Sequence, residues 1–178
     1  RVSRGLGDVY KRQLIGEGGA EKYANKITAF ILDRSDDKLA ALKKVSKVLA
    51  MDYNFAATET EDRLAPLEKR IAPSVADWLK AMYYADYIFT DSFHGCVFSI
   101  LFNKPFVLYV NRNRGVARFE SLLKLFKIEN RTLSDSNGLE SCPIRQSIDW
   151  KPINAKLEEM RSKSMCFLEN ALTARDEQ

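Results

Sequence analysis

The sequence predicts an α/β domain built on a parallel sheet with helices on both of its faces. Three observations predict it. Short, continuously apolar runs rich in β-branched and aromatic residues recur at 27–32, 87–90 and 106–110. Segments with apolar residues at three- and four-residue steps stand between and after them, and polar, Gly or Pro breaks mark the joins. A strand that is apolar at every position is one buried on both faces, which is the mark of a parallel sheet covered by helices. With 178 residues, the chain is long enough for one domain. Its 46% hydrophobic content suits a packed core and not a disordered segment.

The elements follow in order. Residues 1–13, RVSRGLGDVYKRQ, show no clean period and read as a translated leader foreign to the fold, which leaves 14–178 as the domain. Gly16-Glu17-Gly18-Gly19 does not fit GxGxxG and has no strand before it, so it reads as a flexible connection. ITAFIL at 27–32 is a buried strand. After a polar turn at 33–37, a helix carries Leu39, Leu42, Val45 and Leu49 on one face. A weaker strand follows at 52–57, and then a charged loop at 58–70.

Ser74-Val75-Ala76-Asp77 has the form of a capping box, in which each side chain satisfies an amide left unpaired at a helix start. Val75, Trp78, Leu79 and Met82 share one face of the helix it opens. The strand YIFT at 87–90 leads into DSFHG and a short apolar helix at 96–102 that Pro105 ends. FVLYV at 106–110 is the next buried strand. NRNRG leads from it into a helix with Val116, Phe119, Leu122, Leu123 and Phe126 inward. Residues 129–151 read as a loop. A last helix carries Ile153, Leu157, Met160, Phe167, Leu168 and Leu172.

Composition excludes several classes of function. No apolar run approaches the roughly 18 residues of a membrane span, and the basic N-terminus lacks the apolar stretch of a signal peptide. Cys96, Cys142 and Cys166 are odd in number and lack metal-type spacing, so reduced thiols and a cytoplasmic location are expected. The net charge of +4 is spread along the chain, which argues against a nucleic-acid binder. A small anionic substrate needs only a few cations. No metal ligand cluster is visible, so no metal and no cofactor are expected.

Ligands of open parallel sheets collect beyond the C-terminal ends of the strands, and two such ends carry unusual chemistry. The first is Thr90-Asp91-Ser92-Phe93-His94-Gly95. His94 is the sole histidine, and histidine is the side chain whose ordinary pKa, near 6.5, suits proton exchange at neutrality. A helix start beside it favours an anion such as phosphate. Ser92 can cap that helix or donate to an oxyanion, and Gly95 allows close backbone approach. A structural histidine bonded to a carbonyl is the competing reading. The second end is Asn111-Arg112-Asn113-Arg114-Gly115 with Arg118. Guanidinium groups match carboxylate and phosphate through a planar fork of donors, while a solvated turn with surface arginines is the plainer alternative. Lys104 lies at the opposite end of its strand, where a structural role is expected.

Across residues 73–131, TDSFHG, SILFNKPF, NRNRG with RFESLL, and ENR occur in an order and spacing that resemble the polysaccharide pyruvyl transferase family. The resemblance implies a Rossmann-like sheet forming the C-terminal half of a glycosyltransferase-B-type enzyme, whose N-terminal half lies outside this chain. It implies phosphoenolpyruvate as donor and a glycan or lipid-linked sugar as acceptor. The family's histidine falls on His94, its motif neighbours on Ser92 and Gly95, and its basic residue best on Arg114. Some members carry a basic residue just before the histidine, where this chain has Ser92-Phe93. The donor carboxylate then falls to Arg112, Arg114 or Arg118. A nucleotide-sugar glycosyltransferase of the same architecture would want an acidic residue for the ribose just after FVLYV, where none stands. An inactive sugar-binding fragment would be expected to lack the histidine or the arginines, and both are present.

Overall fold

The computed structural model describes residues 19–57, 64, 66–110 and 115–173. The 1–13 segment, most of the glycine-rich connection, and Arg112 and Arg114 lie outside the described residues.

Five parallel strands form one sheet: β1 (Lys26–Phe30), β2 (Asp52–Phe55), β3 (Tyr87–Thr90), β4 (Phe106–Tyr109) and β5 (Thr132–Leu133). Their order is β2-β1-β3-β4-β5. The helices are α1 (Ala20–Tyr23), α2 (Asp36–Leu49), α3 (Leu67–Arg70), α4 (Val75–Tyr84), α5 (Phe93–Leu101), α6 (Val116–Phe126) and α7 (Trp150–Thr173). The period-two alternation of the strands sorts the core into two layers. Ile27, Ala29, Tyr87, Phe89, Val107 and Tyr109 meet Ala41, Leu42 and Val45 of α2 on one face. Ile88, Phe106 and Leu108 meet Met82 of α4, Cys96 and Ile100 of α5, Phe119 and Leu123 of α6, and Ile153 of α7 on the other. Both layers are buried, and emptying one position, as in Phe89→Ala, costs about 3–5 kcal/mol.

The α2 crossover from β1 to β2 therefore covers one face, while α5 and α6, which link β3 to β4 and β4 to β5, cover the other. The winding reverses between β1 and β3. In open α/β sheets that reversal parts the loops at the C-terminal strand ends and opens the ligand crevice there.

The expected α/β class and helices on both faces hold, and the differences have local causes. The helix after β3 begins at Phe93, not at 96, because Ser92 caps it: its Oγ accepts from Gly95 N at 3.5 Å. The 129–151 loop contains β5 and two single-turn 3-10 helices. Two residues are too few to show a period, and β5 exists because the β4 edge supplies its partners, Thr132 opposite Leu108 and Leu133 opposite Tyr109. The capping box at Ser74 is only half formed. Ser74 Oγ accepts from Asp77 N at 3.1 Å but donates to Asp77 Oδ2 at 2.7 Å, so the carboxylate takes the hydroxyl and not the cap amide. In α7 only Ile153 is buried. Phe167, Leu168 and Leu172 are exposed, so most of the expected apolar face is uncovered. Cys96 and Cys142 are buried free thiols and Cys166 is exposed. No helix among the described residues is long and apolar enough to cross a membrane.

Candidate functional site

The tips of β1 and β3 are tied together by short polar contacts. Thr90 Oγ1 donates to Phe30 O at 2.7 Å and accepts from Ser92 N at 3.0 Å. Asp91 is fully buried. Its Oδ1 accepts from Leu32 N at 2.7 Å, and its Oδ2 from Asp33 N at 3.2 Å and from Lys38 Nζ at 2.7 Å. Lys38, in the first turn of α2, also donates to Asp33 O at 2.6 Å, and its side chain is only 9% exposed. A carboxylate and an ammonium taken from water in this way persist only when hydrogen bonds take up their remaining valences, and both are so provided.

The tie extends to the next two strands. The Lys38 ammonium lies 5.6 Å from the centre of the Tyr109 ring at the tip of β4. Tyr109 donates its hydroxyl to Asp37 Oδ2 at 2.5 Å, and the same oxygen accepts from Ser136 N at 2.9 Å, beyond β5. Bonds from Ser136 and then Tyr109 hold the Asp37 carboxyl below its ordinary range. Burial, and after it the bond to Asp37, pushes the Tyr109 hydroxyl up to about 12. Four strand tips are thus fixed relative to one another by side chains that no single motif announces. Asp91 sits inside the chemically suggestive segment, yet nothing in that string marks it as the anchor. Its position directly after an apolar strand is shared with many loop residues, and the lysine that pairs it is 53 residues away in sequence.

This frame sets out the start of α5. Ser92 is the N-cap, so Phe93, His94 and Gly95 form the first turn, where backbone amides point outward without intrahelical partners. Gly95 is buried, and a Cβ placed on it would overlap Thr90 Oγ1 and press on Phe30 Cδ1 at 3.1 Å. The demand for glycine there comes from packing of α5 onto the β1 and β3 tips. His94 in the same turn is exposed.

Arg118, in the first turn of α6, reaches this region from the side. Its guanidinium carbon is 5.4 Å from the centre of the Phe93 ring, within cation–π range, and the Phe93 and His94 rings are 6.2 Å apart. Gly115, the left-handed N-cap at φ 76°, supplies the turn that starts α6, and Arg118 N donates to its carbonyl at 3.2 Å. Of the residues the sequence singled out, Ser92, His94, Gly95 and Arg118 are gathered around the N-terminus of α5. Lys104 is not among them. It lies before β4, with its ammonium 5.7 Å from the Tyr83 ring, and burial lowers its pKa. Among the described residues no group of three His, Cys, Asp or Glu side chains is placed to hold a metal ion.

A five-stranded parallel sheet wound 2-1-3-4-5, with a histidine and an arginine brought near one another beyond its C-terminal strand ends, defines an open α/β fold of the kind whose ligands collect at that edge. The chain belongs to the polysaccharide pyruvyl transferase family, whose model matches residues 8–113. That match includes Ser92, His94, Gly95 and Arg112 and ends just before Arg114. No curated protein and no solved structure gives a significant match.

Proposed function

We propose that this chain carries the donor end of a transferase that moves the pyruvyl unit of phosphoenolpyruvate onto sugar hydroxyls, within a glycosyltransferase-B-type arrangement of two halves. One observation carries the reading: an exposed His94 in the first turn of α5, at the winding reversal of the sheet, with the Arg118 guanidinium one aromatic ring away.

In this mechanism the donor's phosphate sits on the free amides of α5 capped by Ser92, and Arg118 with Arg112 or Arg114 takes the carboxylate. The assignment of Arg112 and Arg114 rests on sequence alone. His94, as imidazolium, protonates the methylene carbon and positive charge develops at the neighbouring carbon. A sugar hydroxyl attacks that carbon. The carbon–oxygen bond to phosphate then breaks, phosphate leaves, and a second hydroxyl closes a pyruvate ketal. Of the two hydroxyl protons lost, one restores His94 and the other departs with phosphate or solvent. Proton delivery of this kind is worth about 10²–10⁴ in rate, and positioning with charge stabilisation supplies the rest.

The test uses the longest reading frame that contains this chain. Phosphate release from phosphoenolpyruvate should depend on an added glycan or lipid-linked sugar acceptor. Turnover with UDP-sugars in place of phosphoenolpyruvate would overturn the reading.

A further inference from the structure

Helix α7 runs past the domain it is anchored to. Ile153 and Leu157, in its first turns, pack into the core layer that α4, α5 and α6 complete. Beyond them every residue from Glu158 to Thr173 is exposed. In proteins, helical stretches of such length owe their helicity mostly to packing of an apolar face. Here that face is present and bare.

The stripe begun by Ile153 and Leu157 continues at steps of three and four through Met160, Ser164, Phe167 with Leu168, and Ala171 with Leu172. Phe167 is 72% exposed and Leu172 68%. The two flanks of the stripe carry their charges differently. On one, Glu159 accepts from Lys156 at 3.0 Å and from Lys163 at 2.6 Å, so these three charges are met within the helix. On the other, no hydrogen bond or ion pair among the described residues takes up the side chains of Arg161 or Glu169. They stand eight residues apart, about 12 Å along the axis, with Met165 midway between them.

These features select a second copy of the chain as the occupant and fix its direction. Each copy's own domain covers the start of its stripe. Two parallel helices would therefore place both domains in the same space, whereas antiparallel helices set them at opposite ends. About a twofold axis level with Met165, Arg161 of each copy comes level with Glu169 of the other. Phe167 of each copy then falls between the levels of Ser164 and Met160 of the other, where the small serine leaves room. One symmetric arrangement thus covers the stripe and pairs the uncommitted charges, and a twofold interface requires such self-complementarity. Burial of the stripe drives the pairing, and the charges at its rim set the register.

We propose that α7 pairs antiparallel with α7 of a second copy to make a twofold dimer. This surface does not depend on the transferase reading. The experiment is sedimentation velocity on the longest reading frame that contains this chain, between about 1 and 100 µM. A dimer with a micromolar Kd is expected. Phe167→Glu should leave only monomer over that range, with the unfolding midpoint unchanged because the side chain is largely exposed in its own copy. Arg161→Glu and Glu169→Arg should each weaken the dimer at least about fivefold. The double swap should restore it, since both pairs re-form with their signs reversed. A wild type that stays monomeric over the whole range overturns the proposal. So does a dimer that survives Phe167→Glu, or a double swap that fails to restore pairing. If another part of the reading frame covers the stripe instead, the wild type is monomeric and Phe167→Glu lowers its stability.

Discussion

The β1/β3 tips and the β4/β5 tips lie side by side on one edge of the sheet and are built in opposite ways. At β1/β3, Asp91 and Lys38 are buried, paired and bonded to backbone on both sides. At β4/β5, Glu120, Lys124 and Glu129 line an open cleft, and among the described residues no hydrogen bond or ion pair takes up their side chains. Burying charge is costly and is sustained only by fixed partners, so the first region acts as a frame. Charge left in water costs little to keep, so the second region is not held in one arrangement by its charges. Position in the sheet alone does not separate the two regions, but the state of their polar groups does.

That contrast can be broken most strongly at Asp91. Asp91→Ala leaves the buried Lys38 ammonium without its counter-ion and two amides without their acceptor, and a stability loss of about 3–5 kcal/mol is expected in chemical denaturation. Pairing Lys38→Met with Asp91→Asn removes both charges and should recover much of that loss. A loss unchanged in the double variant would show that the ion pair is not the strut.

Gly95→Ala comes next. Its methyl group must displace Thr90 or Phe30, so a cost of about 1–3 kcal/mol is expected from the midpoint of thermal unfolding. A neutral result would mean that α5 can move off the strand tips. The third effect is smaller and depends on pH. The folded pKa of Asp37 lies below its ordinary 3.8, so its contribution is present above that value and is lost as pH falls through the folded pKa. The wild type should exceed Asp37→Asn in stability at neutral pH, and the two denaturation curves should converge below about pH 3.8. Curves that stay parallel down to pH 2 would remove Asp37 from the frame. At the other region Glu120→Ala should change stability by less than about 0.5 kcal/mol, as for an exposed side chain with no partner. A larger loss there would erase the contrast.

The sequence made the sheet legible where apolar runs are continuous. β1, β3 and β4 fall within a residue or two of their expected limits, and α6 carries its apolar face as its spacing requires. It was less informative where partners distant in sequence decide. β5 is two residues stitched to an existing edge, and α7 has a helical period whose outer half meets nothing among the described residues. The site divides in the same way. Ser92 and His94 could be found because a polar string follows an apolar strand. Lys38, Asp37 and Tyr109 are separated by up to 72 residues and meet only through the fold. Gly95 was expected to let backbone approach a ligand closely, and the group that crowds it in the structure is Thr90.

The central claim is that the His94 imidazole delivers a proton to a donor held beside it by arginine. The most direct test compares His94→Gln and Arg118→Met with wild type in phosphate release from phosphoenolpyruvate, using the longest reading frame that contains this chain. His94→Gln should lower kcat by about 10²–10⁴ with unfolding unchanged, and Arg118→Met should act mainly by raising KM for the donor. A folded His94→Gln enzyme that keeps more than a few per cent of wild-type kcat would contradict the claim.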